Sequence, residues 1–272
     1  MSVPTRRLII NADDFGLDVA VNEAVEKAHH DGVLTTASLM VGAPAAADAV
    51  ARARQMPNLG VGLHLVLADG PCASNPADIP ALVGADGRFG DQMARDGARF
   101  FFLPWVRRQL EHEVRAQFAA FAATGLTLDH VNAHKHFHLH PTILSLILRI
   151  GREYGLRAVR VPQEPNTAPL LTPWLALMRW RLRRAGIVSN DQVYGLAATG
   201  AMDETAVLAV LNALPPGLSE IYLHPATHGG ITATMHDYRH SDELAALLSP
   251  RVRAAIAATG AVCGRWSEFA AP

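Results

Sequence analysis

The chain has 272 residues, of which 50% are hydrophobic and 18% are charged, and 24 lysines and arginines against 25 acidic residues give a formal charge of −1. This composition excludes a disordered chain, and the lack of a basic excess excludes a protein that holds nucleic acid through charge. The two cysteines, Cys72 and Cys263, are too few for a disulfide framework.

Short apolar runs alternate with amphipathic stretches along the chain. In chain order the pattern predicts strand 8–11, helix 18–30, strand 35–41, helix 45–55, strand 59–65, helix 105–123, strand 127–133, helix 141–153, strand 157–161, helices 172–185 and 203–213, strand 219–224, helix 241–258 and strand 261–263. This alternation indicates parallel βαβ units, with enough strands to curl into an α/β barrel.

The segment 66–100 interrupts this rhythm, since it is rich in Gly, Pro, Asp and Ala and lacks clear periodicity. Long loops of this kind in compact domains are usually functional or disordered. We therefore expect residues 66–105 to be a lid or substrate loop. No repeat and no linker divides the chain, so one domain over residues 1–272 is predicted.

The N-terminal region lacks an apolar stretch long enough for a secretory signal, and no segment reaches the ~18 apolar residues of a spanning helix. The sequence therefore predicts a cytoplasmic protein. The alternative left open is contact with the inner membrane from its surface.

The motif Asn-Ala-Asp-Asp-Phe-Gly at 11–16 follows the first predicted strand, on the side of an α/β sheet where active sites collect. The adjacent carboxylates of Asp13 and Asp14 repel each other and are costly to bury unless they share a cation or a proton. This pair therefore indicates a metal site. The alternative is a solvated pair, or a cap on the following helix.

The third predicted strand ends in Gly-Leu-His-Leu at 62–65. Strict alternation places Gly62 and His64 on one face, where the glycine would leave room beside the imidazole. A single histidine of this kind is more often a hydrogen-bonded core residue than a metal ligand, so His64 needs partners to indicate a site.

A cluster of histidines supplies such partners: 5 of the 13 histidines lie within eleven residues, at 130, 134, 136, 138 and 140. In an extended chain the last four project to one side, and Pro141 favours that conformation at His140. Four imidazoles on one face are hard to explain as packing, so some are predicted to bind a metal and others to orient a ligand or to bind substrate. The alternative is a surface cluster without function.

The segment Glu220–Pro225 is another strand that ends in a histidine, His224. One carboxylate and two imidazoles leave open positions on a divalent metal, as in catalytic sites. Such a metal polarises a carbonyl and lowers the pKa of bound water. The second aspartate would then be free to act as general base, and His224 as general acid.

Together, the motif at 11–16, Gly-Leu-His-Leu at 62–65, the spaced histidines before Pro141 and the pair His224-Pro225 resemble the YdjC-like carbohydrate deacetylases. The motifs keep the family's order from about residue 8 to residue 225, with a weaker match at 242–244. The resemblance implies a deformed (β/α) barrel that uses one divalent metal ion, Mg or Zn, to hydrolyse the N-acetyl group of an amino sugar.

By motif position, the resemblance implies that Asp14, His64 and His134 bind the metal. It implies that Asp13 is the catalytic base and that His224 helps to protonate the departing amine. Residues expected to orient ligands or to bind substrate are Asn11, Asn132, His136 and His138. The family usually has aspartate at the position of Asn132, so the orientation of His134 or His136 would be left to other groups.

The run 132–141 resembles most the branch associated with hopanoid biosynthesis, which implies an N-acetylglucosamine carried on a hopanoid lipid. The apolar run 100–105 and the basic, Trp-containing helix 174–184 would suit contact with a lipid surface. Ordinary core packing is the alternative for both segments. The sequence also leaves a homodimer open.

Two other functions remain possible from the residues alone. A metal-dependent phosphoesterase would need a cationic clamp for phosphate near the strand ends, and Lys135 is the obvious candidate. A non-catalytic protein that binds a metal or a sugar would have no use for a second carboxylate beside Asp14. Asp13 therefore distinguishes an enzyme from a binding protein.

Overall fold

The computed structural model describes residues 5–270 and has an α/β fold with a curled sheet of parallel strands. The predicted deformed (β/α) barrel is confirmed. The predicted domain also includes residues 1–4 and 271–272, which lie outside the described residues.

The strands within residues 5–270 pair in parallel throughout. They are β1 (Arg6–Phe15), β2 (Thr36–Leu39), β3 (Gly60–Leu65), β4 (Val131–Ala133), β5 (Gln192–Tyr194), β6 (Gly217–Leu223) and β7 (Val262–Cys263). The sheet order is β4-β3-β2-β1-β6-β5, and β7 pairs with the start of β1. The central strand β1 is buried over eight consecutive positions, as expected where helices cover a parallel sheet.

Ten α-helices surround this sheet in the described residues. They are α1 (Val19–His30), α2 (Ala46–Ala53), α3 (Met93–Phe102), α4 (Pro104–Ala123), α5 (Pro141–Glu153), α6 (Thr172–Arg184), α7 (Glu204–Asn212), α8 (His240–Leu248), α9 (Pro250–Thr259) and α10 (Trp266–Phe269). The predicted helix 241–258 is wrong as one element, because Ser249 and Pro250 end α8 and begin α9. Ser249 caps α9 through its side chain. No helix in this range has the length and apolar character needed to cross a membrane.

The two edges of the sheet are joined by an irregular segment at 157–161, where the sequence predicted a regular strand. Val131 of β4 forms a parallel bridge with Val159, and Ala158 forms one with Val188, which precedes β5. These isolated bridges link β4 to the β5 edge without a continuous ladder. The barrel is deformed at this point.

A side chain explains why the ladder is interrupted there. Asn190 Oδ1 accepts a hydrogen bond from the Val161 N–H at 2.7 Å, and Asn190 Nδ2 donates to the Val161 carbonyl at 2.9 Å. The asparagine thus satisfies the backbone groups that a neighbouring strand would otherwise pair. Sequence periodicity cannot show that the Asn190 side chain takes the place of a neighbouring strand.

The segment 66–105, expected to be a lid or substrate loop, contains α3 and is tied to α4. The buried Glu113 of α4 accepts hydrogen bonds from the Ala73 and Ser74 N–H groups at 2.8 and 3.0 Å. Gln117, one turn further along α4, pairs with both backbone groups of Val66. The segment is therefore anchored to the barrel at its start, and its role as a lid remains a prediction.

Position 62 of β3 must be glycine because the ring of His130 leaves no room for a side chain, a contact that the sequence did not indicate. A Cβ atom on Gly62 would lie 2.5 Å from ring atoms of His130, so the imidazole of the adjacent strand segment packs on the bare backbone. The expectation that Gly62 makes room for His64 is therefore wrong. His64 lies two residues further along β3, and its ring contacts Asn132 and Asp14.

We expect Gly62→Ala to destabilise the protein by about 1–3 kcal/mol, because a buried ring would have to move to admit one methyl group. Urea unfolding followed by circular dichroism measures this change in the free energy of unfolding. Gly90→Ala is the matched control, since a Cβ atom there meets nothing within 4 Å. Equal stability of the two variants would contradict the proposed packing of His130.

Candidate functional site

Three predicted metal ligands converge at the carboxyl ends of β1, β3 and β4. Asp14 Oδ1 lies 3.1 Å from His134 Nδ1 and 3.2 Å from His64 Nε2. One ligand atom from each residue lies within 4.8 Å of the other two, and all three residues are buried. The structure thus brings together residues separated by up to 120 positions in the chain.

The spacing of these atoms fits a shared cation. Ligand atoms about 2.0–2.1 Å from one ion are about 2.9 Å apart along an octahedral edge and about 3.3 Å apart along a tetrahedral edge. The two observed separations, 3.1 and 3.2 Å, lie between these values. Moreover, Asp14 Oδ2 is buried without a hydrogen-bond partner among the described residues. A buried carboxylate oxygen in this state calls for a further partner, and a cation bound to Asp14 would supply it.

A bulge in β1 directs both aspartates toward the same site. In a regular strand Asp13 and Asp14 would point to opposite faces. Here the pairing of β1 with β2 shifts register between Ala12 and Phe15, and Asp14 adopts a left-handed backbone conformation with φ of 64°. Consequently both carboxylates approach the ring of His64, at 3.8 Å for Asp13 and 3.2 Å for Asp14.

Asp13 is the most strongly hydrogen-bonded carboxylate of the site. Its Oδ1 accepts from Asn11 Nδ2 at 2.7 Å, from Asn132 Nδ2 at 3.0 Å and from Arg160 at 3.1 Å, while Oδ2 accepts from Arg160 at 2.6 Å. Burial raises the pKa of Asp13, but the charge and hydrogen bonds of Arg160, together with the nearby rings of His64 and His224, lower that pKa far below its usual value. Asp13 therefore stays ionised.

Arg160 is a residue of the site that the sequence analysis missed. It is fully buried, it binds Glu220 through Nε at 3.0 Å as well as Asp13, and its guanidinium lies 4.6 Å from the centre of the Tyr222 ring. Burial lowers the pKa of Arg160, whereas the two carboxylates raise it and leave the arginine charged. An arginine between the apolar residues Ala158, Val159 and Val161 of a predicted strand was the available signal, because such a residue is rarely buried without acidic partners.

Asn132 orients His64. A carboxylate only accepts hydrogen bonds, so the amide NH2 of Asn132 must face Asp13 and its carbonyl must face His64 Nδ1, which lies 2.6 Å away. His64 Nδ1 then carries the ring proton, and Nε2 presents its lone pair to the metal position. Asn132 forms a hydrogen bond with neither His134 nor His136, whose rings bond instead to Asp14 and Tyr222, as expected for an asparagine at this position.

The prediction that four histidines project to one side is wrong. Residues His134–Leu139 form 3-10 turns, and Lys135 and His136 have left-handed backbones with φ of 53° and 55°. The period of two that holds for an extended chain does not apply to such a backbone. As a result the four side chains reach four different environments.

Only the first histidine of the run reaches the metal position. His136 Nε2 lies 3.0 Å from the Tyr222 hydroxyl, and His138 Nε2 lies 3.0 Å from the carbonyl oxygen of Arg160. Burial and the charge of Arg160 lower the pKa of His138 to about 3, so this ring stays neutral and supports the backbone of Arg160. His140 packs against the rings of Phe100, Phe101 and Phe137.

His224 follows β6 and is held by its backbone. Glu243 accepts a hydrogen bond from the His224 N–H, and the ring of His240 binds the His224 carbonyl with a 2.6 Å contact from Nδ1. Glu243 lies in the weakly matching motif at 242–244, which thereby acquires a structural role. Burial lowers the pKa of His224, and its Nδ1 has no hydrogen-bond partner within residues 5–270.

These groups surround one cavity of about 190 Å³. Residues that line it include Asp13, His64, His134, His136, Tyr222, His224 and Tyr238. Lys135, the clamp that a phosphoesterase would use, also lines it, but its ammonium group is 2.7 Å from Asp69. The cavity is smaller than the ~300–1,000 Å³ typical of pockets for drug-sized ligands, so it admits a small part of a larger molecule.

The fold and this site define a (β/α)-barrel protein with a buried Asp-His-His cluster at the carboxyl ends of its strands. The chain belongs to the YdjC-like protein family, whose sequence profile matches residues 7–258.

Two relatives of this chain are named carbohydrate deacetylases. The protein of Geobacillus stearothermophilus is 31% identical over 272 residues, with 97% of this chain and 98% of that protein covered. The protein of Brevibacillus brevis is 39% identical over 169 residues. That second match spans 62% of this chain and 60% of the relative, which is less than two thirds of its length.

A solved structure shares the whole fold. A protein of Enterococcus faecalis V583, named for cellobiose-phosphate cleavage, matches with a TM-score of 0.80 at 26% identity. The match covers 98% of this chain and 100% of that one.

We expect Arg160→Met to lower the free energy of unfolding by about 3–5 kcal/mol at pH 7, because two carboxylates would lose their buried counter-charge. The loss should shrink toward pH 4, since unpaired buried carboxylates have raised pKa values and take up protons in the folded variant. Urea unfolding at both pH values measures the difference.

The double variant Arg160→Met with Glu220→Gln is the control for this prediction. It removes one of the two unpaired charges and should recover part of the lost stability. A loss that is independent of pH, or a double variant no more stable than Arg160→Met, would contradict the electrostatic explanation.

Proposed function

We propose that this protein is a metal-dependent hydrolase that removes the N-acetyl group from an N-acetylated amino sugar. The observation that carries the proposal is the convergence of Asp14, His64 and His134 on one point beside the ionised Asp13. The names of the two relatives, which are carbohydrate deacetylases, support the same reaction.

Asp14, His64 and His134 would hold one divalent ion, either Mg or Zn. Imidazole nitrogens favour Zn²⁺, whereas Mg²⁺ prefers oxygen ligands, so the two histidines make zinc the better fit. When bound, such an ion polarises a carbonyl and makes water more acidic, which a base as weak as Asp13 requires.

The residues of the chain supply the proton transfers. Asp13 Oδ2 receives a single hydrogen bond, from Arg160, and therefore keeps a lone pair that can accept a proton from the attacking water. Arg160 holds this carboxylate in place during the transfer. The His224 ring lines the same cavity and is neutral because burial lowers its pKa, so it passes the proton that Asp13 takes from water on to the departing nitrogen, and water and amide become acetate and a free amine.

The size of the cavity supports a substrate that enters only in part. About 190 Å³ admits an acetamido group and the adjoining edge of a sugar ring. The remainder of the molecule would lie outside, against the rim at Lys135 and Tyr238. This arrangement accommodates an N-acetylglucosamine attached to a larger carrier.

We expect acetate release from an N-acetylglucosaminyl substrate to require the metal and to fall at least about 100-fold in Asp14→Ala and His134→Ala, because metal ligands are lost. Enzymatic assay of acetate, before and after treatment with a chelator and after addition of Zn²⁺, measures this. His30→Ala, an exposed histidine at the end of α1, should retain full activity. Activity that survives in both ligand variants would exclude the mechanism.

Asp13→Asn separates an enzyme from a metal-binding or sugar-binding protein. The amide keeps the shape of the side chain but cannot accept the proton, so turnover should be lost while zinc binding persists. Hydrolysis of phosphate esters by the wild type, without acetate release, would favour the alternative of a phosphoesterase.

A lipid carrier is the finer part of the proposal, and an exposed apolar surface supports it. We call this surface the rim patch, and it consists of Phe101, Phe102, Trp105, Leu170, Leu171, Leu177 and Trp180. Phe102 is 72% exposed and Leu170 is 91% exposed, which is unusual for such large apolar side chains.

The two halves of the rim patch are connected through helix α5, which begins directly after the histidine run. Phe101 and Ser145 of α5 line a shared surface groove. Arg181 of α6 donates a hydrogen bond to the same Ser145 at 2.9 Å. Exposed Arg183 and Arg184 extend the patch with positive charge. Aromatic and basic side chains side by side suit the surface of an anionic bilayer.

We therefore propose that the protein is cytoplasmic and contacts the inner membrane through the rim patch. The resemblance of the histidine run to the hopanoid-associated branch supports a hopanoid as the lipid that carries the amino sugar.

We expect the purified protein to bind vesicles that contain phosphatidylglycerol and not vesicles of phosphatidylcholine alone. Arg183→Glu with Arg184→Glu should weaken binding at least about tenfold, since each basic residue near an anionic surface contributes about 1 kcal/mol. Vesicle sedimentation measures the bound fraction. Arg251→Glu with Arg253→Glu on α9 makes the same charge change elsewhere and should leave binding intact. Equal binding by both double variants would contradict the rim patch.

A further inference from the structure

A chain of buried hydrogen bonds connects the amino ends of the strands to Asp13, and the proposed reaction does not use it. Ser38 Oγ of β2 lies 3.0 Å from Asn11 Nδ2, 2.9 Å from Asn132 Nδ2 and 3.0 Å from His130 Nε2. His130 Nδ1 lies 3.0 Å from Asp129 Oδ2. Each of these five side chains is buried.

The number of donors and acceptors fixes the direction of every bond in this chain. The carboxylate of Asp13 only accepts, so the amides of Asn11 and Asn132 each turn an N–H toward it. The second amide proton of each asparagine reaches Ser38 Oγ. These two bonds occupy both lone pairs of the hydroxyl. Its proton goes to His130 Nε2 at 3.0 Å, because the other acceptor, Asn11 Oδ1, lies 3.4 Å away and already accepts from Thr36 at 2.7 Å.

His130 therefore carries its ring proton on Nδ1 and donates it to Asp129. Burial raises the pKa of Asp129, but the hydrogen bonds from His130 and Ser267 outweigh burial and keep that pKa below its usual value. Backbone N–H groups of Trp266 and Ser267 also bind this carboxylate, at 3.3 and 3.0 Å. The series of hydrogen bonds therefore has an ionised carboxylate at each end, Asp129 at one and Asp13 at the other.

We propose that Ser38 is a positioning residue that locks the amides of Asn11 and Asn132 in the orientation that the metal site needs. For its effect on turnover this inference rests on the proposed function. With the hydroxyl present, a rotated Asn132 would point its carbonyl at the Asp13 carboxylate and leave Ser38 short of a donor. Both Asp13 and Ser38 therefore disfavour rotation of the Asn132 amide.

Without the hydroxyl, one of these two restraints is lost. Two amide protons and His130 Nε2 are then left without partners in the barrel interior, which is costly for buried polar groups. A rotated Asn132 presents NH2 to His64 Nδ1, and the ring proton of His64 would then move to Nε2. A protonated Nε2 has no lone pair for a cation, so the metal site would be weakened through a residue that does not touch it.

The test compares Ser38→Ala with Ser219→Ala. Both changes remove a buried hydroxyl from a central strand, but Ser219 Oγ has no hydrogen-bond partner within the described chain. We expect Ser38→Ala to raise the Kd for zinc about tenfold or more, as for other residues that orient metal ligands. At saturating zinc, kcat should fall about tenfold while KM changes less than about twofold, because substrate contacts are retained. Ser219→Ala should leave all three quantities unchanged.

Competition with a chromophoric chelator measures zinc binding on the metal-free protein, and thermal unfolding of both variants shows whether each is folded. A Ser38→Ala protein that binds zinc and turns over like Ser219→Ala would overturn the inference. A loss of stability alone, with unchanged zinc affinity, would likewise mean that Ser38 is only structural.

A second measurement needs no substitution of Ser38. Nitrogen-15 NMR of the imidazoles in the metal-free wild type should show His130 protonated on Nδ1 with Nε2 as a hydrogen-bond acceptor. A proton on Nε2 of His130 would overturn the inference. Zinc affinity and the NMR signature do not depend on acetate release, so a failure of the proposed function would leave them unaffected.

Discussion

The contact of the Arg160 guanidinium with Asp13 and Glu220 is the interaction on which the site depends. A fully buried ion loses several kcal/mol of hydration, and the loss is offset only when its hydrogen bonds are complete. Here the planar fork reaches Asp13 on β1 and Glu220 on β6 from the irregular segment at 157–161. It therefore ties together the side of the barrel where the ladder is interrupted, and it fixes Asp13 with a rigidity that a lysine would not provide.

Backbone strain is concentrated around the cavity that Asp13, His134 and His224 line. Four non-glycine residues in the described chain have positive φ, namely Asp14, Asp69, Lys135 and His136. Conformations of this kind cost about 1–3 kcal/mol each and persist where the surrounding structure enforces them. Asp69 and Lys135 pair with each other at the rim, His136 lines the cavity, and Asp14 contacts the cavity-lining ring of His134. The strained residues are thus those whose side chains point in directions that a regular strand does not allow.

Much of the fold and the core of the site follow from local patterns. The alternation of strands and helices predicts the barrel. Asp14 and His64 lie at the carboxyl ends of parallel strands and His134 follows one, so their convergence is expected from topology. The left-handed backbone at Lys135 and His136 is not encoded in hydrophobic periodicity, so the directions of the later histidines could not be derived. Gly62 and Arg160 depend on partners from other strands, which one segment of sequence cannot reveal.

The neighbouring carboxylates of Asp13 and Asp14 have opposite surroundings, and this difference argues for a cation. Asp13 receives four hydrogen bonds, whereas Asp14 Oδ2 receives none from the described residues. A proton does not resolve the deficit, because burial raises the pKa of Asp14 but His134 and His64 lower it well below its usual value. Around the metal position, the carboxylates of Asp13, Asp14 and Glu220 face the single guanidinium of Arg160, an excess of 3 − 1 = 2 acidic groups. A divalent ion at Asp14 would balance that excess and satisfy the remaining oxygen, while Asp13 keeps its lone pair for a proton.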